Sequence, residues 1–125
     1  MFNLAKVRLD KLLLSLKSQQ GINNLISGIF YNIPANQPYP IIHLSNISLK
    51  NFGVKSTACT EVVFELTIYT KATDFELLNQ ISEAVLAILK TEEDLIIRSS
   101  KIELSSKTNI YENKIILKFI TNEDY

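Results

Sequence analysis

All three prolines of this chain of 125 residues, Pro34, Pro38 and Pro40, fall in one short window. Proline fixes its own φ and lacks a backbone donor, so it interrupts helices and sheets wherever it stands. Confining it to one place leaves everything else free for regular structure. Gly28-Ile29-Phe30-Tyr31 reads as a short apolar strand running into this window, and Pro40 opens a second strand through Ile41 and Ile42. A strand, a proline-punctuated loop and a strand are therefore the first fixed points.

The elements around that loop follow from periodicity. Ala5, Leu9, Leu12, Leu13 and Leu16 recur at helical spacing, with Lys6, Arg8, Asp10, Lys11 and Lys17 on the remaining surface. Gln20-Gly21 is expected to end this helix, and Ile22 to Gly28 to form a short further turn. Pro40 to Leu49 reads as a strand, and Leu49 to Ala58 as a polar connection. Cys59 to Thr70 alternates most clearly: Val62, Phe64, Leu66 and Ile68 face one way, and Glu61, Val63, Glu65, Thr67 and Tyr69 the other. Thr73-Asp74-Phe75-Glu76 has the pattern of a capping box. The helix it opens buries Leu78, Ile81, Val85, Ile88 and Leu89. Ile96 to Ser105 and Tyr111 to Thr121 complete the set as strands. The order predicts one α+β domain over residues 1–125, a mainly antiparallel sheet of four to five strands with two helices on one face.

Charge narrows the function classes. Thirteen basic residues balance thirteen acidic ones, with no run of Lys or Arg, so neither nucleic acid nor an anionic membrane is an expected partner. No apolar run reaches the length of a membrane span or of a secretory core, and the single cysteine, Cys59, fits a reducing compartment. A soluble intracellular protein is expected.

Catalytic and metal patterns are missing from the sequence. His43 is the only histidine and lies in a strand pattern between core residues. One Cys and one His do not make a zinc set, and three glycines make no phosphate loop. Glu92-Glu93-Asp94 lacks the spacing of a calcium loop and reads as a solvated helix end. No enzyme, cofactor or metal is expected.

The second face of the sheet is unusual in being partly apolar. Val63 and Tyr69 on one strand share it with Ile116 and Ile120 on the last, alongside Glu61, Glu65, Lys114 and Lys118. Two readings stand: scattered exposed apolar residues, as on most surfaces, or a face covered by another subunit. On the second reading the glutamate-bearing and lysine-bearing strands offer complementary edges. The loop Lys50-Asn51-Phe52-Gly53-Val54-Lys55, anchored by Phe52, is a second candidate contact, expected to be mobile in a free subunit.

With this layout, the chain resembles the small phage tail-completion or tail-terminator proteins of siphophage-like tails, prophages and gene transfer agents. The resemblance rests on the leading helix, on Leu25-Ile26-Ser27-Gly28-Ile29-Phe30-Tyr31-Asn32-Ile33-Pro34, and on Tyr39-Pro40-Ile41-Ile42. It continues through the strand from Val62 to Tyr69 and the helix from Ile81 to Leu89, and departs from many relatives at Arg98-Ser99-Ser100-Lys101. It implies an α+β subunit of a ring, typically a hexamer, that ends tail-tube growth. The implied partners are copies of itself, the major tail-tube protein and a head-tail connector or head-closure protein. The implied location is the bacterial host cytoplasm during assembly and the particle's tail afterwards. The alternatives are another neck component, or a small non-enzymatic ligand-binding α+β module that would need a polar pocket between helix and sheet, where the core-facing positions are expected to supply almost no polar groups.

Overall fold

A computed structural model describes residues 4–52, 57–105 and 107–124. The elements are α1 (Leu4–Lys17), α2 (Gln20–Asn23), β1 (Gly28–Phe30), β2 (Ile41–Phe52), β3 (Thr57–Lys71), α3 (Phe75–Thr91), β4 (Ile96–Ser105) and β5 (Ile110–Asp124). The five strands form one sheet in the order β1-β2-β3-β5-β4. Only β1 and β2 are parallel; all other pairs are antiparallel. The fold class expected from the sequence is thus the one observed.

Alternation along β3 and β5 builds the core. The register sets Val62 beside Phe119, Phe64 beside Leu117 and Leu66 beside Ile115, and all six side chains are buried. Phe64 and Phe119 meet edge to face, with ring centroids 5.9 Å apart. Leu9, Leu12 and Leu16 of α1 and Leu78, Ile81, Val85 and Leu89 of α3 cover this face.

Four local expectations are corrected. The first helix stops at Lys17, before Gln20-Gly21, which belong to α2. The stop is made by side chains on the last carbonyls: Ser18 Oγ donates to Ser15 O at 2.8 Å, and Asn23 Nδ2 donates to Lys17 O. The capping box does not form. Asp74 is the N-cap of α3 and its side chain makes no cap bond, because the chain is still turning there, with Asp74 N donating to Lys71 O at 3.0 Å. Lys50, Asn51 and Phe52 belong to β2, paired with Glu61, Thr60 and Cys59, so this half of the expected loop is strand. Gly53, Val54 and Lys55 lie outside the described residues. Finally, the core is not free of polar groups. Asn113 is buried on the inner face, accepts from Ser100 Oγ at 2.9 Å through Oδ1, and donates to Ser82 Oγ on α3 at 2.9 Å.

That last chain ties β4, β5 and α3 together in one geometry. Ser82→Ala removes the acceptor of a buried amide, so a loss of about 1–3 kcal/mol is expected in urea denaturation. Unchanged stability would show that Asn113 finds another partner.

The register slips twice, between Ser45 and Ser48 on β2 and between Ile97 and Ser99 on β4. At the first slip Asn46 adopts a positive φ of 50° and its amide donates to Glu65.

Candidate assembly surface

Helices α1 and α3 cover one face of the sheet, so the other is open along β3 and β5. The register places all eight candidate residues on that open face. Val63 lies beside Lys118, Glu65 beside Ile116, Glu61 beside Ile120, Tyr69 beside Glu112, and Thr67 beside Lys114. Val63, Tyr69 and Ile116 are half-buried by their neighbours, while Ile120 is 47% exposed. The expected complementary edges are not there. Strands β3 and β5 are adjacent and interior, and Lys114 Nζ lies 4.0 Å from Glu65 Oε1 of the same chain. Their charges face one another across a ladder, as cross-strand neighbours do.

One end of this face is concave. The proline loop between β1 and β2 is stapled to Ser27, whose amide donates to Pro40 O at 2.8 Å and whose hydroxyl accepts from Gln37 Nε2 at 3.1 Å. Held in this way, Ile33, Pro34 and Tyr39 form one wall of a cleft of about 550 Å³. Tyr69, Ile110 and Glu112 of the sheet and Thr108 of the β4–β5 turn also line it, together with Asn36, Gln37, Ile41 and Ser105. Tyr69 holds its hydroxyl proton above the ordinary tyrosine range, mainly through burial and then through the nearby Glu112 and Glu65 carboxylates.

His43 is half-buried on the open face, its Nε2 2.9 Å from Tyr31 O. Cys59 is half-buried at the start of the β3 ladder. Among the described residues, no group of three His, Cys, Asp or Glu side chains is placed to hold a metal ion. No helix among them is long and apolar enough to cross a membrane.

The sequence reading missed an ionic joint on the helical side. Arg8 Nε and Nη2 donate to the two oxygens of Asp94 at 2.6 and 2.7 Å, and Nη2 reaches Glu92 at 3.3 Å. The guanidinium lies 6.0 Å from the centre of the Phe119 ring. Arg8, with its side chain only 15% exposed, is therefore not a surface residue of the first helix, and Glu92 and Asp94, although Asp94 stays solvent-exposed, are ion-paired. The available signal was position: Arg8 stands next to the Ala5-Leu9-Leu12 stripe, where a long side chain lies along the core margin.

The hydrogen bond from Arg8 holds the Asp94 carboxyl below the usual carboxylate range. A depressed carboxyl contributes stability that is fully present above the unfolded value of about 3.9 and lost as pH falls through the folded one. Stability is therefore expected to fall on acidification below about pH 4, with a shallower fall in Arg8→Met. Because Asp94 is 48% exposed, the substitution is expected to cost only about 1–2 kcal/mol at neutral pH. Denaturation midpoints across the acid range check both points.

The fold defines a two-layer α+β protein, helices on one side of a five-stranded sheet and an open, partly apolar second side. A family model described as tail completion protein gp17 matches residues 10–114. The chain belongs to that family, whose members are structural proteins of phage tails, and its own role is structural, in a phage-type tail. A chain from the virion of a native gene transfer agent particle is similar at TM-score 0.77 and 14% identity, over 90% of this chain and 92% of that one. The gp17 protein of bacteriophage SPP1 is similar at TM-score 0.56 and 17% identity, over 99% and 96%. At these identities the two structures share the fold. No functionally curated protein matches.

Proposed function

We propose that this protein closes into a ring, most simply a hexamer, on the end of a finished tail tube. The ring ends tube polymerisation there and presents the surface to which the head side docks. Its partners are copies of itself, the major tail-tube protein and a head-tail connector or head-closure protein. It works by binding alone, without catalysis or cofactor, in the bacterial cytoplasm during assembly and then in the particle. The observation that carries this reading is the match to the tail completion family over residues 10–114. The resemblance to a chain of a gene transfer agent virion supports it.

The proposed subunit contact uses the open sheet face. Val63, Tyr69, Ile116 and Ile120 form its apolar middle, and Glu61, Glu65, Lys114 and Lys118 its polar surround. A ring needs a head-to-tail contact whose rotation closes, so this face meets a different surface of the next subunit. The segment Lys50-Asn51-Phe52-Gly53-Val54-Lys55, whose first three residues end β2, is proposed to touch tube or connector.

The test is deletion of the gene from its parent element. Tails of uncontrolled length that fail to join filled heads are expected, restored by the wild-type gene, with the protein co-purifying with tail tubes. Normal tails in the deletion strain would sink the reading. Co-purification with filled heads and not with tubes would favour a head-side neck component instead.

A further inference from the structure

The cleft beneath the proline loop shares Tyr69 with the proposed subunit contact and adds a carboxylate, Glu112, that this contact does not use. Glu112 lines it and, among the described residues, makes no ion pair and no side-chain hydrogen bond. Directly opposite Glu112 on β4 is Glu103, so two carboxylates stand side by side on one face of the ladder, an arrangement that repels. Lys101 neutralises Glu103 at 3.1 Å, and among the described residues none pairs with Glu112 in the same way. Lys114, the nearest lysine along β5, is turned to Glu65; Lys71, diagonal to Glu112 on β3, is exposed and makes no bond to it. Around the uncompensated carboxylate stand two tyrosines, Tyr39 and Tyr69, and the apolar surfaces of Ile33, Pro34 and Ile110.

This combination suits one kind of group. A cation on a long apolar stem satisfies the carboxylate with its head and covers the apolar wall with its chain. Aromatic faces attract the same cation. A guanidinium meets both demands better than an ammonium, because it binds a carboxylate through paired donors and stacks on rings. An uncharged apolar segment would leave Glu112 buried and unpaired, at a cost. We propose that the cleft receives an arginine side chain, carried on an extended segment of a partner protein, with its stem against Tyr39 and Tyr69 and its guanidinium on Glu112. This goes beyond ring closure and does not depend on it, since the cleft lies within one subunit.

The experiment uses the isolated full chain and an acetylated Gly-Ser-Arg-Ser-Gly amide peptide, followed by backbone amide shifts in NMR. The expected result is saturable binding with shifts clustered at Tyr39, Tyr69, Ile110 and Glu112. The same peptide with citrulline, which keeps the shape and loses the charge, should bind about tenfold more weakly or worse. Glu112→Gln should lose binding to the same degree. Thermal unfolding of this variant should not be lowered, because the substitution also relieves the repulsion with Glu103. The proposal is overturned by absence of binding at millimolar peptide, by equal binding of the citrulline peptide, or by undiminished binding to a folded Glu112→Gln variant. Self-association of the wild type that Glu112→Gln abolishes, with no peptide binding, would overturn it in favour of a second copy as occupant.

Discussion

Phe64→Ala is expected to cost about 3–5 kcal/mol of stability. Phe64 is fully buried, at 0% exposure, in the middle of β3. It is packed edge-on to Phe119 and belongs to the same buried cluster as the inward leucines of α1 and α3. Removing the ring takes away apolar surface that had left water and leaves a hole that strands on either side cannot close, because their ladder fixes their spacing. A domain of this size is stable by roughly 5–15 kcal/mol, so this is a large share. The thermal midpoint should fall by roughly 10–20 °C. A drop of only a few degrees would mean that α1 or α3 moves in to fill the space, and that the helical layer is softer than its packing suggests.

The second large effect is expected in assembly and not in folding. Val63→Asp combined with Ile116→Lys places charges in the centre of the open sheet face. The register makes the double variant benign within one subunit: position 63 faces Lys118, and position 116 faces Glu65, so each new charge meets an opposite one. Thermal stability should change by less than about 1 kcal/mol. If this face is covered by a neighbouring subunit, the charges must be desolvated there, which weakens each contact by about a hundredfold or more. The variant should remain a folded monomer at concentrations where the wild type closes, as read by native mass spectrometry, and should fail to complement a deletion strain. Tails completed at wild-type efficiency would remove this face from the subunit contact.

Much of the architecture was legible because period two is unforgiving. Val62 to Ile68 on one strand and Ile115 to Phe119 on another state their inner face outright, and the eight outward residues follow from the same alternation. That alternation also reaches Asn113, two residues before Ile115, and so placed a polar group in the core. Its partners, Ser82 and Ser100, come from elements far apart in sequence, which is why the buried polar chain was not visible. Arg8 and Asp94 illustrate the same limit: each looked like a solvated charge because its partner is 86 positions away. The missed capping box has a local cause, since Thr73 stands inside the turn that precedes α3. The edges were misjudged because strand order is a property of the whole sheet, and no residue on β3 or β5 announces which strand lies beside it. The cleft needed separate segments to converge, the proline loop, β3, the β4–β5 turn and the start of β5, and no local pattern gave a reason to bring them together.

The two slips in register have a meaning for a molecule proposed to end a polymer. Beyond His43, β2 has no outer neighbour among the described residues, and β4 lies at the opposite margin of the sheet. Straight, unguarded margins invite further strands, and a cap with two such margins would seed growth of its own. Here each margin carries one irregularity, at Asn46-Ile47 on one side and at Arg98 on the other, with Lys50 and Lys101 adding charge nearby. Such irregularities interrupt the regular spacing of donors and acceptors that an incoming strand would have to match. The chain is thereby poorly suited to sideways propagation through its backbone, so in the proposed ring the contacts between subunits would fall to side chains, where number and direction can be limited. A stopper of the proposed kind would itself be stopped.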